Sequence, residues 1–150
     1  METIIPSIQE KLKEIPELKY VDEDWGQLDY YSPNFPVQWP CILIDISAAN
    51  FDNIGQDKTA TPMQRQIADS RISLTIANLK LTKTSGNAPA TQKTQARSIW
   101  LLIKKVHEIL HGVNATETSG KLIRTGLQRV KRDDGIQEYT VVYSLTKTNV

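Results

Sequence analysis

The residues with the plainest chemical potential are His107, Glu108 and His111. They form the string H-E-x-x-H, which on a helix sets two imidazoles one turn apart to bind zinc and lets the glutamate activate bound water. Such a centre needs a third protein ligand. Glu117 stands six residues beyond the second histidine, where the extended motif places that ligand, yet Asn114 fills the position the extended motif reserves for glycine. The chain has two histidines in all, and the region after Lys121 reads as strands, so no following helix supplies a glutamate. At about 100° per residue, His107 falls inside an apolar stripe with Ile103, Val106 and Leu110, and Glu108 falls opposite, beside Lys104 and Lys105. The expected roles are a histidine at the edge of the core, a surface glutamate, and a histidine near a helix C-terminus, where the dipole favours positive charge. A small zinc-dependent hydrolase using His107, Glu108, His111 and Glu117 is the alternative from another class.

Other candidates carry less chemistry. Asp22, Glu23, Asp24 and Asp29 could ligate a metal or act as an acid/base pair, but the sequence offers them no partner group. Lys121, Arg124, Arg129, Lys131 and Arg132 could form a basic ridge, but DNA binding needs a net basic domain or a reader module, and neither is visible. There is no glycine-rich phosphate loop and no serine in a strained elbow. Cys41 lies in the apolar run Cys41-Ile42-Leu43-Ile44 with no activating base nearby, so it reads as a small buried hydrophobe. A lone cysteine without a disulfide partner fits a reducing compartment. No catalytic, cofactor-binding or metal residues are expected.

A length of 150 residues with 39% hydrophobic and 23% charged residues suits one domain spanning 1–150. The N-terminal Met1-Glu2-Thr3-Ile4-Ile5-Pro6 does not look like a signal peptide, and no stretch approaches the roughly 20 apolar residues that cross a bilayer. A soluble protein with no membrane and no specific nucleic-acid partner is expected. Net charge is +1, but residues 1–57 hold 11 acidic and 3 basic side chains, and residues 58–150 hold 6 acidic and 15 basic. If folding keeps these apart, one face is acidic and another basic. That favours head-to-tail contacts between identical subunits, the arrangement that closes into rings.

Periodicity supplies the elements. Ile4, Ile5, Ile8, Leu12 and Ile15 predict a helix that starts near Pro6 and ends at Pro16. A short strand at 19–22 and a turn at Gly26 follow. Pro33, Pro36 and Pro40 enforce an extended connection bearing Tyr30, Tyr31, Phe35 and Trp39. Residues 41–46 predict a strand covered on both faces, ended by Ser47-Ala48-Ala49-Asn50. The stretches 50–66 and 81–95 predict polar loops, and 71–81 between them predicts a half-buried strand through Ile72, Leu74 and Ile76. A long helix over 95–111 carries the stripe Ala96, Ile99, Trp100, Ile103, Val106, His107 and Leu110, broadened by Leu102 and Ile109, and Gly112 ends it. Strands at 121–131 and 136–146 flank Arg132-Asp133-Asp134-Gly135, a hairpin signal. The predicted class is α+β: a mostly antiparallel sheet with two helices on one face, in the order helix–strands–helix–hairpin.

This layout resembles the tail terminator, or tail completion, proteins of long-tailed bacteriophages and prophages. The resemblance is carried by the N-terminal amphipathic helix, the acidic Trp/Gly stretch from Asp22 to Leu28 and the proline-introduced strand Pro40-Cys41-Ile42-Leu43-Ile44-Asp45. It continues through the long helix ending Val106-His107-Glu108-Ile109-Leu110-His111-Gly112 and the closing hairpin. It implies a hexameric ring that caps the tail tube and joins it toward the head. It also implies assembly in the bacterial host cytoplasm, residence in the virion tail, and no cofactor or catalytic residue. The implied partners are copies of the chain, tail-tube proteins and head–tail connector proteins. By analogy the stretches 51–66 and 82–95 reach neighbouring subunits or the tube, and Trp25, Phe35, Trp39, Phe51, Arg65, Arg129, Lys131 and Arg132 are the interface candidates. A neck or head-completion subunit of the same virion is the alternative within the structural class.

Overall fold

A computed structural model describes residues 1–29, 35–79 and 85–150. Tyr30, Tyr31 and Pro33 of the proline-rich connection, and residues 80–84 at the end of the predicted strand and the start of the second predicted loop, lie outside the described residues.

Helix α1 spans Ile4–Leu12, and its four-residue spacing buries Ile4, Ile8 and Leu12 together. It starts ahead of Pro6 and stops at Leu12, not at Pro16. Pro6 is tolerated because first-turn N–H groups have no intrahelical partner. Residues 13–18 then close in successive turns, Ile15 N–H donating to Leu12 and Leu18 N–H to Ile15. Strand β1 (Tyr20–Glu23) pairs parallel with β2 (Cys41–Gln56), and the remaining strands, β3 (Gln64–Leu79), β4 (Ile123–Val130) and β5 (Ile136–Thr148), pair antiparallel. The sheet order is β1-β2-β3-β5-β4. With helices on one face of this sheet, the fold is α+β.

Parts of two predicted loops are regular structure. The stretch 50–66 is the distal half of a long hairpin, because β2 runs ten residues past Ile46 and β3 begins at Gln64. Within 81–95, residues from Ala90 onward belong to a short helix α2 (Ala90–Ala96). The single helix expected over 95–111 is broken at Arg97, and α3 occupies Ser98–Leu110. Gly112 ends it at a left-handed φ of +76°, where a side chain would be strained.

The core lies between the sheet and the helices. Ile99, Leu102, Ile103, Val106 and Leu110 of α3 and Ile4, Ile8 and Leu12 of α1 meet Ile42, Ile44, Ile72, Leu74, Ile76, Val141, Tyr143 and Leu145. Burying each of these side chains contributes about 1.5–3 kcal/mol. A smaller cluster lies on the opposite face, where Leu28, Phe35, Val37 and Trp39 cover Cys41, Leu43, Ala77 and Ile136. That is why residues 41–44 are apolar at every position. Cys41 is fully buried, and burial first, then the charge of Glu138, pushes its thiol up to about 12, so it stays protonated. Among the described residues no helix is long and apolar enough to cross a membrane.

Candidate assembly surfaces

The histidine string sits on the last turns of α3 with its side chains divided. His107 is half-buried, its Nδ1 is enclosed without a hydrogen-bond partner among the described residues, and its ring stacks on His111 with centroids 4.5 Å apart. Burial, then the charges of Arg124 and His111, lower the pKa of His107, so the neutral ring is favoured. His111 Nδ1 accepts the backbone N–H of Arg124 at 3.1 Å. Glu108 points outward and pairs with Lys104 at 3.8 Å. Glu117 is exposed on the segment between α3 and β4. Among the described residues no three His, Cys, Asp or Glu side chains are grouped to hold a metal ion. Two imidazoles with no third ligand beside them do not make a zincin centre.

What the fold does display is surface that folding leaves uncovered. The distal part of the β2–β3 hairpin forms an arm exposed on both faces, with every residue from Phe51 to Thr59 open to solvent. It carries Phe51, Ile54 and Met63, which are 50%, 51% and 54% exposed. Large apolar side chains grouped on one projection mark an interaction site more often than chance exposure does. Ile54 occupies a β-bulge, where the register slips between Asn53 and Gly55, and the tip is closed by Asp57 N–H donating to the Met63 carbonyl at 2.8 Å.

The second surface is the β4 edge. Trp100, Lys104 and His107 of α3 and Arg124, Gly126 and Leu127 of β4 line a groove of about 580 Å³. Trp100 is not the core residue the stripe predicted. It is half-exposed at the rim, where its ring lies 4.7 Å from that of Tyr139. Arg124 and Arg129 stand opposite Tyr143 and Tyr139 in the register, so they share the helix-bearing face with the groove. The third surface is the other edge, where Glu2, Ile5, Asp22, Glu23 and Ile46 line a notch of about 420 Å³ between α1 and β1.

The interface candidates divide accordingly. Trp25 is exposed just past the acidic strand, Phe51 and Arg65 lie on the arm, and Arg129 and Lys131 lie on or beside β4. Phe35 and Trp39 instead turn inward, stacked edge-to-face at 5.7 Å over the back of the sheet. Arg132 also folds inward: its guanidinium donates to Asp134, to Glu138 at 2.9 Å and to the Leu28 carbonyl at 2.6 Å, and lies 5.8 Å from the Phe35 ring. Ile54, Met63, Trp100 and Leu127 are surface residues that sequence patterning missed. For Ile54 and Met63 the signal was an apolar residue in an otherwise polar stretch, which periodicity discards, whereas Trp100 was counted into the apolar stripe of the long helix.

No protein-family model matches the chain, and no curated protein matches it. Among solved structures, a chain described as "Virion of native gene transfer agent (GTA) particle" aligns over 98% of this chain and 92% of its own length, with a TM-score of 0.44 and 11% sequence identity. At that score the likeness carries neither fold nor role.

Proposed function

We propose that the chain is a structural virion subunit that self-associates into a ring, terminates a phage tail tube and joins it toward the head. The observation that carries this reading is the arm: a two-stranded ribbon, exposed on both faces, whose three large apolar side chains each leave about half their surface open to solvent. Such a ribbon gains burial only against another protein. The element order helix–strands–helix–hairpin, on which the family resemblance rests, supports it too. In this role the arm seats on tail-tube subunits, and the ring surface above it meets the head–tail connector.

The test is a triple variant, Phe51→Ser with Ile54→Ser and Met63→Ser. Each change removes exposed apolar surface and leaves the core intact, so the melting temperature stays within a few degrees. Capture of purified tail-tube subunits is expected to be lost. A wild-type chain that ignores tail-tube and connector subunits and stays monomeric at high concentration would overturn the proposal.

A further inference from the structure

Resting on that reading, we infer that copies of the chain meet edge to edge, the acidic β1 edge of one seated in the basic α3–β4 groove of the next. The sheet order puts β1 and β4 at opposite edges. Four strand spacings of about 4.8 Å set them roughly 19 Å apart, well beyond the Debye length of about 8 Å at physiological salt. The two charge sets therefore cannot neutralise each other within one molecule. Nor are they neutralised locally: among the described residues Glu23, which shares the helix-bearing face with Ile44, forms no ion pair, and neither do Arg124, Arg129 and Lys131, while Asp22 lies in register with Leu43 and turns to the back of the sheet, where it accepts from the Tyr20 hydroxyl. The amino terminus pairs with Glu2.

The two edges also match in form. Each is a cleft between a helix and a strand on the helix-bearing face, with apolar side chains in its lining: Ile5 and Ile46 on the acidic side, Ile103 with the half-exposed Trp100 and Leu127 on the basic side. Gly126 faces open space and leaves the groove unobstructed. Apolar contact at the centre with opposite charges at the rim is the composition of specific protein interfaces. The two surfaces differ, so the contact is heterologous, and a repeated heterologous contact generates a ring or an open helix, not a closed pair. The β4 edge also carries a bulge between Arg124 and Gly126, which disfavours simple strand addition. Recognition therefore runs through side chains, and charge sets its register.

The experiment uses two half-disabled full chains, examined by light scattering after size exclusion. One carries Arg124→Glu and Arg129→Glu, the other Glu2→Lys and Glu23→Lys, all exposed positions whose variants are checked by thermal melting. Each alone is expected to lose the oligomer of the wild type. Mixed, they are expected to recover the oligomer with the two variants alternating, because the unaltered edge meets the unaltered groove and the reversed groove meets the reversed edge, and raising salt weakens wild-type association. Oligomers that persist in both variants would overturn the edge contact and leave the assembly role standing, because copies would then meet elsewhere. A wild-type monomer that still captures tail-tube subunits would overturn it as well, whereas a monomer that captures nothing removes both proposals.

Discussion

The two antiparallel hairpins of this sheet end in opposite ways. At the β4–β5 turn, Arg132 is about nine-tenths buried and spends its donors on Asp134, Glu138 and the Leu28 carbonyl, tying the turn to the segment behind the sheet. Gly135 supplies the positive φ of +78° that closes so tight a turn. At the tip of the β2–β3 hairpin every bond is local: Asp57 accepts from Thr59 and donates its N–H to Met63, and Ala60 N–H returns to Asp57. Among the described residues, nothing from 57–63 reaches another element. One tip is part of what holds the fold together. The other is held by the fold and offered outward, so the same motif serves stability in one place and leaves contact surface in the other.

The strongest way to break this contrast is to cut both tips. Arg132→Ala leaves Glu138 buried without its cation, and removing one partner of a buried pair costs about 3 kcal/mol or more. For a chain of this size that lowers Tm by roughly 10 °C, measurable by calorimetry. Replacing residues 57–63 with a two-residue turn is expected to change stability by no more than about 0.5 kcal/mol, since loop closure depends weakly on length. Equal losses from the two changes would dissolve the distinction. A smaller effect sharpens the picture of the sheet between the hairpins. Tyr143 is buried on β5, its hydroxyl has no hydrogen-bond partner among the described residues, and burial pushes its pKa up to about 12. Tyr143→Phe removes that uncompensated group and is expected to be neutral or to stabilise by up to about 1 kcal/mol. A clear loss in urea midpoint would show that the hydroxyl is satisfied after all.

The clamped hairpin was legible in the sequence and the projecting one was not, for a physical reason. Alternation at Tyr139, Val141, Tyr143 and Leu145, and the Asp-Asp-Gly turn before it, record a strand with one face in the core. Helix α3 is recorded likewise by its buried stripe. Residues 48–56 face solvent on both sides, so their side chains carry no period, and backbone pairing to β3 alone makes them a strand. The same blindness hid α2, whose one buried residue is Ala96. Of the candidate surfaces, the charge imbalance between residues 1–57 and 58–150 did foreshadow the acidic β1 and basic β4 edges. It did not foretell that Arg132 would turn inward, because that depends on Asp134 and Glu138 meeting it across a turn.

The finest separation of the two tips is their response to acid. Burial raises the pKa of Glu138, outweighing the attraction of Arg132, so the folded state holds that proton more tightly than the unfolded chain does. Its contribution to stability is therefore complete below the ordinary glutamate range and declines as pH rises through the raised value. Asp57 is lowered by the hydroxyl and N–H of Thr59, so its contribution is present above the ordinary aspartate range and is lost as pH falls through the lowered value. His107, lowered by burial, acts in the same sense as Asp57 but nearer neutrality, so the informative quantity is the difference between each variant and wild type. Above the ordinary glutamate range, Glu138→Gln is expected to remove a decline that Asp57→Asn leaves untouched, while Asp57→Asn changes the curve only from the ordinary aspartate range downward. Urea midpoints collected across both ranges decide it: a Glu138→Gln curve parallel to wild type would mean that the β4–β5 tip is as open to water as the arm.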